Sequence, residues 1–278
     1  RRGVLGPLMR PRMQSRLRHL LADARLRFAI SPAMAEAYRA RYGQPFEVFQ
    51  NTLDVAARAA FAKPEPTVGD PAEILYVGSI FPNAQLDSLV ECARAVVRLA
   101  DQGERVRLVI SSPSGHAGRY RHRLPDHPAV IVEPTIRDDD SFFRRIAGAD
   151  LLLLPVNFDA DSVRFICYSM PTKVPAYLIS GTPILAYGPS ETAQVAYARD
   201  GGWARVVGER GVEGLAAAML ELLTDMPARR RLVTAAQETA RRNHDVRQVR
   251  SRFQALIAEA AGVRPPRPAH SSSEQVSP

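Results

Sequence analysis

Between Ser169 and Gly188 the chain reads Ser-Met-Pro-Thr-Lys-Val-Pro-Ala-Tyr-Leu-Ile-Ser-Gly-Thr-Pro-Ile-Leu-Ala-Tyr-Gly, and these types and spacings suit phosphate chemistry. Thr172 is a good N-cap. A helix starting there puts Pro175 at N3, where a missing N–H costs little. Gly181 supplies the left-handed residue that ends the helix. Pro183 opens an apolar strand, Ile184 to Tyr187. The free N–H groups of the first turn and the Lys173 ammonium then share one end of a short helix, an arrangement that favours a phosphate. The same residues also fit an ordinary helix-loop-strand unit with a solvated lysine.

Other chemistry-bearing residues are sparse. Asp159, Asp161, Arg164 and Tyr168 lie in the loop feeding this helix. Arg164 could contact a phosphate or carboxylate and Asp161 a sugar hydroxyl; an intraloop ion pair explains Asp161 as well. The six histidines are scattered. His116 and His122 share a loop with Arg119, Arg121 and Arg123, near Asp126, without metal-ligand spacing, and solvated loop histidines are expected there. There is no nucleophile elbow and no dinucleotide-type glycine loop. Gly78 alone after a strand is a weak signal that a tight turn also explains. Asp138, Asp139 and Asp140 begin a helix, whose dipole they complement; magnesium binding is the lesser alternative.

The elements that must position these residues follow a regular rhythm. Strands are expected at Ile74 to Val77, Val106 to Ile110, Val130 to Val132, Asp150 to Leu154, Ile184 to Tyr187 and Ala204 to Val207. Helices are expected at Asn83 to Ala100, Gly118 to Arg123, Asp138 to Gly148, Ser190 to Arg199, Val212 to Thr224, Pro227 to Arg242 and Asp245 to Ala260. Short apolar strands alternating with helices call for an α/β fold, a doubly wound Rossmann-like parallel sheet. Ligands bind such sheets at the carboxyl ends of the strands, where strand order reverses. In the usual order the first and fourth strands flank that crevice. Their loops carry Gly78 to Asn83 and Pro155 to Asp161, and the Ser169 to Gly188 stretch follows the second. Three segments therefore converge on one crevice.

Length and composition bound the rest. With 278 residues the chain can hold one large or two small domains, and 46% hydrophobic with 24% charged residues is ordinary for a globular protein. Cys92 and Cys167 are read as reduced core residues, which suggests the cytoplasm. The apolar run Leu151 to Val156 is far too short to span a bilayer, and no signal peptide is visible. The net charge of +8 comes almost wholly from arginine, with Lys63 and Lys173 the only lysines. No zinc-finger spacing, aromatic-basic interleaving or RNA-binding signature accompanies it, so a nucleic-acid partner is not expected. Much of the excess lies in the first thirty residues. A helix there, carrying Met13, Leu17, Leu20, Leu21, Ala24 and Phe28, fits a core-packed element; contact with an anionic membrane surface is the alternative. After it, strands at 26–30 and 46–49 flank a helix capped by Ser31-Pro32 and ended by Gly43. Residues 62–72, rich in proline and charge, read as a linker, and residues 263–278, rich in proline and serine, as a disordered tail.

Ser169-Met-Pro-Thr-Lys173-Val-Pro-Ala176-Tyr177-Leu-Ile-Ser-Gly181-Thr-Pro183 resembles the sugar-nucleotide motif of the GT-B glycosyltransferases of the family 4, or "group 1", type. Phe28-Ala-Ile-Ser-Pro-Ala-Met, Asn51-Thr-Leu-Asp54, Ile74-Leu-Tyr-Val-Gly-Ser and Asp150-Leu-Leu-Leu-Leu-Pro155 extend the resemblance over about residues 26–260. It implies that residues 1–61 are the trailing segment of an N-terminal acceptor-side domain with the interdomain connection. Residues 62–72 are then a linker and 73–262 a Rossmann-like nucleotide-sugar-binding domain. It implies transfer of a sugar from a nucleoside-diphosphate sugar to a glycan or lipid-linked acceptor. No metal or other cofactor is implied, and the place is the cytoplasm, with the inner membrane face as an option. The donor diphosphate would lie by Gly78, Ser79, Thr172, Lys173 and Arg164. The sugar and ribose would lie near Asn157, Asp161, Tyr168, Ala176 and Tyr177.

Three departures stand out. The family's basic pair after the first strand is replaced by Ser79 and Ala84, the ribose-binding glutamate by Ala176, and the earlier glutamate falls near Tyr168. Lost cations remove electrostatic stabilisation of the leaving group. A catalytically degenerate binding or scaffold module is therefore the second expectation. A sugar-nucleotide epimerase of the same fold fits the motif less well.

Overall fold

The computed structural model describes residues 6–263, so the expected disordered tail, from residue 264 on, lies outside the described residues. The chain opens with helix α1 (Gly6–Asp23), strand β1 (Phe28–Ala29), helix α2 (Pro32–Tyr42), strand β2 (Glu47–Val48) and helix α3 (Val55–Arg58). Then come β3 (Ala72–Val77), α4 (Leu86–Asp101), β4 (Val106–Ser112), α5 (Ser114–Tyr120), β5 (Val130–Pro134) and α6 (Asp139–Gly148). The alternation continues with β6 (Leu151–Pro155), α7 (Ala160–Ile166), α8 (Val174–Ile179), β7 (Ile184–Tyr187), α9 (Ala193–Gly201) and β8 (Arg205–Val207). Helices α10 (Val212–Thr224), α11 (Met226–Asn243) and α12 (Val246–Ala261) complete it.

Six strands form a parallel sheet in the order β5-β4-β3-β6-β7-β8, so strand order reverses between β3 and β6, as the sequence requires of a doubly wound fold. Both faces are covered, which is why the strands are runs of apolar residues rather than alternating ones. Ile74, Tyr76, Leu108, Ile110, Leu151 and Leu153 face α4 and α10. Their neighbours Leu75, Val77, Val109, Leu152 and Leu154 face the opposite side, packed with α8 and Trp203.

Caps decide where the helices begin. Ser31, Asp138, Asp159 and Asp225 each accept a first-turn N–H, and Pro32 fits the first turn of α2. The Asp159 cap starts α7 where the sequence suggested a loop. Two starts differ from expectation. Lys173, not Thr172, occupies the cap position of α8, and Thr172 lies exposed in the preceding turn. The proline at 171 and the half-turn after it take up the backbone that Thr172 would have needed. The helix expected from Ser190 begins at Ala193, since Pro189 and Thr192 form a turn closed by the Thr192 hydroxyl. Gly181 ends α8 at φ +77, and a side chain there would strike the backbone of Lys63.

Residues 62–71 carry no helix or strand yet are firmly held. Lys63 donates to Thr67 O and Ala149 O at 3.0 Å and pairs with buried Asp150 at 3.2 Å. Arg229, wholly buried on α11, donates to Pro66 O (2.7 Å), Leu222 O (2.8 Å) and Thr67 O (3.0 Å). Burial draws its pKa down to about 10, and three carbonyls stand in for lost water.

The short β1–β2 pair is parallel and sits against α12 through Phe28, Phe49 and Phe253, with ring centroids 5.2–5.5 Å apart. Leu53 N donates to His244 O and Val246 N to Leu53 O, both at 3.0 Å, stitching the segment before α3 to the turn between α11 and α12. The core-packed expectation for α1 is not met. Met13 (64% exposed), Leu17 (38%) and Leu20 (67%) lie open, because α1 is tied down only near its end, by Arg25 and Arg27 to backbone carbonyls.

Replacing Arg229 with Ala should lower stability by about 2–4 kcal/mol, since three buried carbonyls lose a charged donor. Urea unfolding checks this, and a loss below about 1 kcal/mol would show that water replaces the guanidinium without cost.

Candidate functional site

At the reversal point β3 ends in Val77, and Gly78 turns the chain at φ +143, a conformation that favours glycine. Above this turn lies Lys173. Its Nζ donates to Val77 O at 2.8 Å and sits 4.0 Å from the centre of the Tyr76 ring and 5.4 Å from that of Tyr177. A cation desolvated over an aromatic face gains on the order of 2 kcal/mol. Tyr177 accepts from Val77 N at 3.2 Å, so α8 and its cap residue hold the last residue of β3 by both its N–H and its carbonyl. Tyr76 donates to Ser79 O (2.7 Å) and accepts from the Gln85 amide (3.0 Å), which shapes the loop after Gly78.

Lys173 is half-buried, and its ammonium sits against the Val77 carbonyl and the Tyr76 ring. No carboxylate pairs with it among the described residues. Desolvation therefore dominates and draws its pKa from the ordinary 10.5 to about 7. Burial likewise pushes the Tyr76 and Tyr177 phenols up, so both stay neutral.

Lys173 opens into a crevice of about 270 Å³ bounded by Phe81 and Gln85 from the β3 side, Pro155 from β6, Phe165 from α7, Met170 from the following loop and Gln194 from α9. Most of this wall is apolar, and Lys173 is its one charged group. A larger cavity of about 390 Å³ lies elsewhere, between Phe49, Tyr197 and Arg252. It is lined by the end of β2 and by residues of α11 and α12 and shares no lining residue with the crevice, and Arg252 on its rim is already engaged with Glu47.

The expected site residues divide accordingly. Gly78, Ser79, Lys173 and Tyr177 come together at the end of β3. Asn157 is close by but spent: it is fully buried, donates to Pro82 O (2.7 Å) and Ser162 Oγ (3.1 Å), and accepts from Ser88 N (3.1 Å). It joins the two loops of the crevice and has no capacity left for a ligand. Arg164 and Asp161 are exposed on α7, with no ion pair between them, and neither lines the crevice; nor does exposed Thr172. Tyr168 turns away, its ring 6.3 Å from that of Tyr38 on α2, while its carbonyl accepts from Ser31. Ala176 is buried in the core under α8. Phe81 and Met170 lie in the segments the sequence marked, whereas Gln85, Phe165 and Gln194 lie outside them, because no local pattern marks residues brought together from separate elements.

Two of the histidines are engaged with the protein itself. His116 Nδ1 lies 2.9 Å from Ile80 O, and His244 is buried between Asn51 O and the Tyr197 hydroxyl. Among the described residues no group of three or more His, Cys, Asp or Glu is placed to hold a metal ion.

No protein-family model and no curated protein sequence matches the chain. Solved structures do. The α,α-trehalose 6-phosphate synthase of Burkholderia multivorans is 16% identical, with 89% of this chain and 61% of that one covered at a TM-score of 0.63. WaaG, a glycosyltransferase involved in lipopolysaccharide biosynthesis, is 16% identical over 88% of this chain and 68% of its own, at 0.58. A mutant of TarM from S. aureus, crystallised with UDP among its ligands, is 11% identical over 88% and 46%, at 0.63. The chain has the doubly wound architecture shared by these GT-B glycosyltransferases. It spans about three fifths of the length of the trehalose-phosphate synthase and under half of TarM.

A free pKa near 7 makes ligand binding at Lys173 pH-dependent. A phosphate diester anion would favour the protonated lysine, so affinity should be greatest below pH 7 and fall by up to about tenfold per unit above it. Titration with a nucleoside-diphosphate sugar, whose own charge is constant between about pH 6.5 and 8.5, measures this. Lys173→Met should flatten the profile. A wild-type profile already flat would remove Lys173 from the site.

Proposed function

We propose that this chain is the donor-binding part of a nucleotide-sugar-dependent glycosyltransferase acting in glycan or polysaccharide assembly. One observation carries the proposal: an unpaired, desolvated lysine held at the carboxyl end of β3, where strand order reverses. An ammonium held ready in a water-poor crevice favours a phosphate more than a solvated one does. On this proposal Gly78, Ser79 and Lys173 receive the donor diphosphate, the rest of the donor lies in the crevice, and buried Tyr177 and Ala176 support the site from beneath without touching it. Residues 1–61 are the trailing segment of an acceptor-side domain, 62–72 its link, and 73–262 the donor domain. The chemistry is that of positioning and of stabilising the leaving diphosphate, with the donor as co-substrate.

A uridine or guanosine diphosphate sugar at millimolar concentration should raise the melting temperature of the wild-type chain, by mass action on the folded state. Lys173→Met should abolish the shift; it also removes the hydrogen bond to Val77 O, so each protein's shift is read against its own unliganded melting temperature. No shift with any common nucleotide sugar would favour the second reading, a degenerate binding module, which Ser79, Ala84 and buried Ala176 motivate.

We further propose that α1 rests on the inner face of a membrane, near a lipid-linked acceptor. Met13, Leu17 and Leu20 are exposed beside Arg12, Arg16 and Arg18, the combination that suits an anionic interface. No described helix is long and apolar enough to cross a bilayer. The chain should sediment with vesicles containing phosphatidylglycerol but not with neutral ones. Replacing Leu17 and Leu20 with Ser should release it; equal sedimentation of that variant would refute the contact.

A further inference from the structure

Gln194, in the first turn of α9, is only 5% exposed, yet its amide has no hydrogen-bond partner within the described residues. It lines the crevice that holds Lys173, and its polar atoms are not among those sealed off without a partner. They therefore keep a little exposure, and the crevice is the cavity that Gln194 lines. A buried amide normally finds partners inside the protein, and leaving one unmet costs about 1–3 kcal/mol. The amide both donates and accepts, so it matches a pair of hydroxyl groups.

The neighbouring wall supplies the complement. Phe165 is 64% exposed, stacks on no other ring among the described residues, and borders the same crevice. Phe81, 46% exposed, borders it from the β3 loop and is braced edge-on by His116 at 5.1 Å. An amide that reads hydroxyls beside aromatic faces that cover C–H surface is what a pyranose ring requires: one polar edge and one apolar face.

We infer that Gln194 and Phe165 select the sugar carried by the nucleotide donor, Gln194 through adjacent hydroxyls and Phe165 through the ring face. This rests on the reading of the crevice as a sugar-nucleotide site. Gln194 is a binding residue, without part in bond making. Neither Gln194 nor Phe165 lies in the motif from Ser169 to Gly188.

The experiment is calorimetric titration of the full chain with UDP-glucose and GDP-mannose, and with UDP and GDP. Gln194→Met keeps the side-chain volume and breaks no hydrogen bond within the described residues, so it should fold with a melting temperature close to that of wild type. Phe165→Ala alters an exposed side chain and keeps the test open if the first variant fails to fold. Each variant should weaken the bound sugar nucleotide about tenfold and leave the free nucleoside diphosphate within about twofold. Deoxy-sugar donors should lose affinity for wild type at the hydroxyl that is read, and show no such loss against Gln194→Met. Equal weakening of sugar nucleotide and free nucleotide would mean that Gln194 reads the nucleotide, which overturns the inference. So would no weakening of either. Failure of the wild-type chain to bind any of the four ligands would instead overturn the proposed function beneath it.

Discussion

The hydrogen bond from Lys173 to the carbonyl of Val77 holds the site together. It ties the approach to α8 to the last residue of β3, across the reversal in strand order. Tyr177 returns the grip by accepting from Val77 N. Both contacts converge on one residue, so α8 cannot shift without moving the Gly78 loop. That loop is in turn shaped by Tyr76 and Gln85, and Asn157 fastens it to the loop after β6. The crevice is a consequence of this bracing, and Lys173 serves as both brace and charge.

That dual use explains the electrostatics. A solvated lysine would be fully protonated and weakly attractive to an anion through water. Lys173 is enclosed between two phenol rings with only a carbonyl for a partner, which depresses its pKa and leaves its field unscreened. On the proposed function, a bound phosphate would restore the lysine's charge. With Ser79 and Ala84 where the resembling family carries cations, one poised ammonium concentrates the positive field of an otherwise apolar wall. Selectivity for the rest of a ligand must then come from shape, ring faces and isolated polar groups such as Gln194.

The periphery obeys a different constraint. The segment before β3 has little core of its own, so it is held by backbone bonds at Leu53 and Val246, by three stacked phenylalanines, and by Arg229 on the carbonyls of 66 and 67. Helix α1 receives almost none of this support among the described residues, which leaves Met13, Leu17 and Leu20 exposed. Its apolar periodicity announced a buried face, but periodicity states only that a face is apolar, not what covers it.

From the sequence alone came the alternation of strands and helices, the doubly wound sheet, and the convergence of Gly78, Lys173 and the loop after β6 on one crevice. Those follow from local rules: apolar runs for strands covered on both faces, capping residues, and the position of ligands in such sheets. The tertiary structure decided which nearby residues face the crevice. Asn157, Asp161, Arg164 and Tyr168 are adjacent in sequence to the site, yet one is consumed by loop bonds and three point elsewhere. The cap of α8 moved from Thr172 to Lys173 because the turn at Pro171 set the backbone. Gln194 entered from a distant helix. Spacing along the chain encodes secondary structure, whereas direction into a cavity depends on packing between elements far apart in sequence. That is why the location of the site was legible in advance and its lining was not.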